Sequence, residues 1–166
     1  VLSQPAHAVI AWGQPWGWPG ATTVPGDFDG DGKSDLAVFD NASGAWYVKS
    51  LSGRTLLWGF AWGWNGVTTV PGDFDGDGTS DLAVYDPITR LWFVWSLTGN
   101  IVVMGADWGS PGFMPVTGDY NGDGKSDLAI YELATGKWFI MSPGNSEVLA
   151  WDLSWGWSGA IPVGGR

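Results

Sequence analysis

Cysteine is absent from the 166 residues, and histidine occurs once, at His7. No disulfide framework and no thiolate metal site can be built from such a chain. Lys and Arg together number only seven. That is too few for the phosphate contacts of nucleic-acid binding, so no nucleic acid is expected as partner. No apolar run reaches the length of a membrane span. Helical spacing of apolar residues is missing throughout, which leaves strands as the expected regular element. Catalytic combinations are missing too. There is no Cys nucleophile, no Ser-His-Asp set, and no carboxylate pair outside the acidic loops described next, so the chain is expected not to be an enzyme.

What the chain does have is glycine, tryptophan and aspartate. Its 27 glycines and 14 tryptophans are far above the usual proportions, and they point to many strands and tight turns. Formal net charge is −10, but 11 of the 17 acidic residues lie in three short loops. These read GDFDGDGKSD from Gly26, GDFDGDGTSD from Gly72 and GDYNGDGKSD from Gly118, with their first aspartates 46 residues apart. Packing four oxygen-bearing side chains into nine positions is costly unless a cation neutralises them. Three divalent ions would bring the net charge from −10 to −4.

The 46-residue period extends beyond the loops. Each loop leads into DLAVFD, DLAVYD or DLAIYE, and then into AWYVKS, LWFVWS or KWFIMS. A Gly-containing turn follows, then a third apolar run (TLLWGFA, IVVMGAD, EVLAWDLS), a crossover (WGWNG, WGSPG, WGWSG) and a short run such as VTTV. Period-two patterning between turn residues predicts four short antiparallel strands per repeat, with the acidic loop joining the first to the second. A four-stranded unit of this length suits a β-propeller blade. The predicted architecture is all-β, one repeat domain over 1–166. It divides into a partial blade at 1–20, full repeats at 21–66, 67–112 and 113–159, and the start of a further blade at 160–166. Repeat three carries one extra residue, so Arg166 stands where a fourth loop would open.

Counted from its first aspartate, the first loop offers side-chain oxygens from Asp27, Asp29, Asp31 and Asp35, and the carbonyl of Lys33. The second offers Asp73, Asp75, Asp77, the Thr79 carbonyl and Asp81. The third offers Asp119, Asn121, Asp123, the Lys125 carbonyl and Asp127. Gly32 and its counterparts permit the sharp turn that gathers these ligands. An all-oxygen set of five or more suits Ca2+ better than Mg2+, zinc or copper, so three calcium sites are expected. The third should be weakest, because Asn121 supplies an oxygen without a charge. An EF-hand would need a bidentate Glu where Val38, Val84 and Ile130 stand. A phosphate-binding loop fails as well, since its first glycine is replaced by Asp27 or Asp119.

The pattern GDxDGDGxxDLAV, recurring at this interval between strands, resembles the FG-GAP and VCBS repeats that build the integrin α propeller. The resemblance implies a calcium ion in each acidic hairpin, on the residues just named, and a secreted or cell-surface location. It also implies a seven-bladed ring, about twice the length of this chain.

The remaining signal is aromatic. Trp46, Trp92 and Trp138 recur at one place in the third strand and are expected to pack between blades. Trp16 with Trp18, Trp62 with Trp64, and Trp155 with Trp157 flank the crossover glycines, whereas Trp108 is paired with Ser110. Such rings suit either wedging of the seam between blades or stacking on a sugar face. Two functions follow as expectations. One is a calcium-binding extracellular module for carbohydrate binding or adhesion, with a glycan or protein ligand. The other is a structural protein whose copies join their blades into a ring or filament.

Overall fold

The computed structural model describes residues 13–164. The expectations for the first part of the partial blade, His7 included, and for Arg166 lie outside the described residues. Twelve strands form three four-stranded sheets, every pairing antiparallel, and no helix occurs among the described residues. Sheet one runs β1 (Ala21–Thr23), β2 (Leu36–Asp40), β3 (Ala45–Lys49), β4 (Thr55–Ala61). Sheet two runs β5 (Thr68–Thr69), β6 (Leu82–Tyr85), β7 (Leu91–Trp95), β8 (Ile101–Asp107). Sheet three runs β9 (Phe113–Gly118), β10 (Asp127–Glu132), β11 (Lys137–Ser142), β12 (Glu147–Ser154). Strand order follows chain order in each sheet, so each acidic loop joins the first two strands of its own sheet.

Sheet two is packed on both faces, and its sequence records this. Leu82 and Val84 join a cluster with Val24, Phe39 and Val48 of sheet one. Ala83 and Tyr85, on the opposite face, join Leu128 and Ile130 of sheet three. All four residues of β6 are therefore buried, which explains an unbroken apolar run where a half-solvated strand would alternate. β7 divides in the same way. Trp92 and Val94 face sheet three, and Phe93 and Trp95 face sheet one.

One polar device recurs in every sheet. The indole N–H of Trp46 donates to the Trp62 carbonyl, that of Trp92 to Trp108, and that of Trp138 to Trp155, each at 2.7 Å. In sheets one and two the third-strand tryptophan thus both fills the core between sheets and ties down the crossover, whereas Trp138, expected there too, is only partly buried against its own sheet and keeps the tie alone. A buried indole N–H needs such an acceptor.

A second device links one sheet to the next at the acidic loops. Ser80 N–H donates to the Asp27 carbonyl at 2.6 Å, and Asp27 N–H returns a bond to the Ser80 hydroxyl at 3.1 Å. Ser126 N–H donates in the same way to the Asp73 carbonyl, at 2.5 Å. A Cβ on Gly26 would lie 2.9 Å from Ser80 Oγ, and one on Gly72 would lie 2.6 Å from Ser126 Oγ. The glycines opening loops one and two are therefore required by the next loop's serine.

Candidate functional site

The acidic loops hold their shape through their own backbone. Asp27 accepts N–H bonds from Gly30 at 2.8 Å and Gly32 at 2.7 Å, and Asp73 accepts from Gly76 at 2.6 Å and Gly78 at 2.9 Å. Asp119 does the same with Gly122 and Gly124. Gly32, Gly78 and Gly124 take φ of 81°, 87° and 85°, a region that side-chain-bearing residues avoid. The last carboxylate closes each loop from below. Asp35 accepts from Phe28 N–H, Asp81 from Phe74 N–H, and Asp127 from Tyr120 N–H, at 2.8, 2.8 and 2.9 Å. Phe28 and Phe74 are buried and pin the loop to the core, whereas Tyr120 is exposed.

Carboxylate oxygens of Asp27, Asp29 and Asp35 come within 4.8 Å of one another, and so do those of Asp73, Asp75 and Asp81. The fifth-position aspartates turn elsewhere. Asp31 accepts from the Lys33 backbone N–H and from its ammonium, the latter at 2.8 Å, and this pairing holds its carboxyl below the ordinary range. Asp77 accepts from Thr79 N–H and hydroxyl, and Asp123 from Lys125 N–H and the Asn121 amide. Of the residues expected around the ions, those at positions one, three and nine of loops one and two converge. The aspartate at position five is held by the residue two positions on.

Asp81 and Asp127 are fully buried, and in each one carboxylate oxygen takes the loop N–H while the other, Oδ1, has no partner. Leaving a buried charged oxygen unpaired costs several kcal/mol, of order 2 or more. Burial raises the Asp81 carboxyl to about 7, with the charges of Asp75, Asp77 and Asp73 adding to the rise. Burial also raises Asp35 and Asp127. The donor set is all oxygen, crowded and short of positive charge, which fits a hard divalent cation.

A carboxyl whose folded pKa lies above its unfolded value of 3.8 keeps its proton longer when folded, so folding weakens as pH rises through the interval. Without metal, the protein is expected to melt at a higher temperature at pH 5 than at pH 8. Saturating calcium, which needs the carboxylates ionised, should reverse that order. Thermal melts at both pH values, with chelator and with calcium, measure it.

The crossover tryptophans divide by position. Trp16, Trp62 and Trp108 are at least partly buried and pack on Trp58, Trp95 and Trp151, with ring centroids 5.8, 5.3 and 5.9 Å apart. Trp108 also donates its indole N–H to the Phe139 carbonyl of sheet three. Trp18 stands edge-on to Tyr47 at 4.8 Å, and Trp64 stands edge-on to Phe93 at 5.1 Å. Trp155 and Trp157 are 79% and 73% exposed. Sequence reasoning missed Ser80 and Ser126, which clamp one loop to the next. Their only signal was the serine before the last aspartate of each loop.

No curated protein and no solved structure matches the chain. Among family models, the one described as FG-GAP-like repeat matches residues 27–84, which run from the first aspartate of loop one through loop two and into β6. Over this span the chain is similar to the FG-GAP-like repeat.

Proposed function

We propose that the chain is a calcium-binding, non-catalytic module of the adhesion type, working outside the cell. The observation that carries this reading is the unpartnered, fully buried Oδ1 of Asp81 and of Asp127, each facing a loop of further carboxylates. Asp27, Asp29 and Asp35 would hold one ion, and Asp73, Asp75 and Asp81 a second. Asp119, Asn121 and Asp127 would hold a third, weaker one. The ion supplies neutralising charge that fixes each hairpin. Recognition of a glycan or protein then falls to the crossover side, where Trp18, Trp64, Trp155 and Trp157 are exposed. The three sheets are read as blades of a β-propeller, stacked through the loop-to-loop bonds. Calorimetric titration with calcium is expected to give three sites, falling to two in Asp81→Asn, with glycan-array binding lost in Trp64→Ala. One site or none, or an unaltered count in Asp81→Asn, overturns the calcium assignment.

A second reading rests on the outer side of sheet three. Leu153, Trp155, Trp157, Ile161 and Val163 are each at least 50% exposed there. Apolar exposure on that scale marks an interaction surface, and another copy of the chain would cover it with a blade. Light scattering in calcium decides: a single-chain particle removes this reading.

A further inference from the structure

The junction between sheets two and three differs from the one before it. At the earlier junction Trp64 sits on Phe93, and Phe60 and Trp62 pack on Trp95. One period on, Ser110 replaces Trp64, Ala106 replaces Phe60 and Met141 replaces Trp95. Three rings are lost. Phe113 returns one, tilted against Phe139 at 5.5 Å, and Trp151 returns another, perpendicular to Phe139 at 5.2 Å. What remains is a cleft of about 300 Å³ walled by Trp108, Phe113, Phe139 and Trp151, with Asp107 and Ser110 at its polar positions. It continues the packed interface between the two sheets outward to solvent.

The chain's own repeats show what this space accepts. Trp18 on Tyr47 and Trp64 on Phe93 are both edge-on crossover indoles, at 88° and 79°, and Phe139 is the third ring of that series, met edge-on by Trp151 of its own sheet but by no crossover indole. Charge does not favour a cation, because Asp107 is already paired with Arg90 at 3.3 Å. A second observation lies beneath the crossover. The hydroxyl of Tyr85 is buried without a partner against Gly109, which lines the cleft. Its counterpart in sheet three, the Tyr131 hydroxyl, donates to the Trp157 carbonyl, the position that Ser110 occupies here.

We propose that this cleft is a binding site for one planar, uncharged aromatic group with a polar edge, an indole or its close equivalent. It takes in trans the ring that the other crossovers supply in cis. Face and edge contacts with four aromatic walls give the affinity, and the polar atoms at Ser110 and Asp107 orient the ligand edge. The inference rests on the crossover geometry and on nothing in the acidic loops.

The test is titration of indole into the calcium-loaded protein, read by saturation transfer to the indole protons and by calorimetry. Saturable one-to-one binding is expected. Ser110→Trp, which refills the cleft, should weaken it at least tenfold while raising the melting temperature, and Ser110→Ala, which keeps the space and removes one polar contact, should weaken it far less. Trp151 is 69% exposed, so Trp151→Ala should fold and weaken binding several-fold, which keeps the test valid if Ser110→Trp does not fold. N-acetyl-tryptophanamide separates the two sources of such a ring. Binding tighter than indole points to a side chain on a partner peptide, and weaker binding to a free small aromatic. Absence of indole binding, binding unchanged in Ser110→Trp or Trp151→Ala, or capture of a methyl pyranoside in place of indole overturns the proposal. Calcium stoichiometry should be unaltered in all three variants, so failure here leaves the loop assignment standing.

Discussion

Excess chelator is expected to lower the melting temperature by roughly 15–30 °C. A ligand that binds only the folded state stabilises it by about 2.7 kcal/mol per site at a hundredfold excess over its Kd. Three such sites give about 8 kcal/mol, comparable to the whole stability of an ordinary domain. For a chain of this size each kcal/mol moves the midpoint by about 2–4 °C. The local geometry supports a large effect. Asp81 and Asp127 are fully buried with an unpaired oxygen, and the Asp27 and Asp73 carbonyls hold the serine of the following loop. Loosening one loop therefore loosens the contact between sheets as well as one hairpin. Magnesium, which demands a tighter octahedral shell, should restore little of the loss. Differential scanning calorimetry with calcium, magnesium and chelator measures the effect, and equal midpoints in all three refute a metal role for the loops.

The parts of this structure that were legible from sequence are those repeated in residue type as well as position. Acidic loops, LAV runs and third-strand tryptophans recur in fixed order, so the period alone separated four strands per unit and placed the loops between the first two. Features carried by common residues were not legible. Ser80 and Ser126 look like ordinary turn serines, and only the approach of two loops shows that each clamps its neighbour and excludes a side chain from Gly26 and Gly72. Arg90 takes φ of 67° where Gly44 and Gly136 stand in the other repeats, and its side chain gave no sign of that backbone. Asp31 and Asp77 match the spacing of ligands, yet Lys33 and Thr79 compete for their oxygens through bonds spanning two residues. Spacing reports which side chains can reach a point and says nothing of which local partner reaches them first.

The second large effect concerns Trp92. Its ring is fully buried between sheets two and three, and its N–H ties β7 to the crossover carbonyl of Trp108. Trp92→Ala removes a large apolar volume that close-packed neighbours cannot refill, a loss of about 3–5 kcal/mol. Trp92→Phe keeps most of the apolar contact but leaves the Trp108 carbonyl without its donor and a small void beside it, about 1–3 kcal/mol. Trp138 makes the same 2.7 Å bond to Trp155, but from a ring that is only partly buried. Trp138→Ala is therefore expected to lose clearly less than Trp92→Ala, while Trp138→Phe loses only the bond term. Urea unfolding of the four variants in saturating calcium separates the contributions. If Trp92→Ala and Trp138→Ala cost the same, packing between sheets is not what the third-strand tryptophans provide. If both Phe variants match the parent, the repeated indole bond contributes nothing, and the crossovers are held by ring contacts alone.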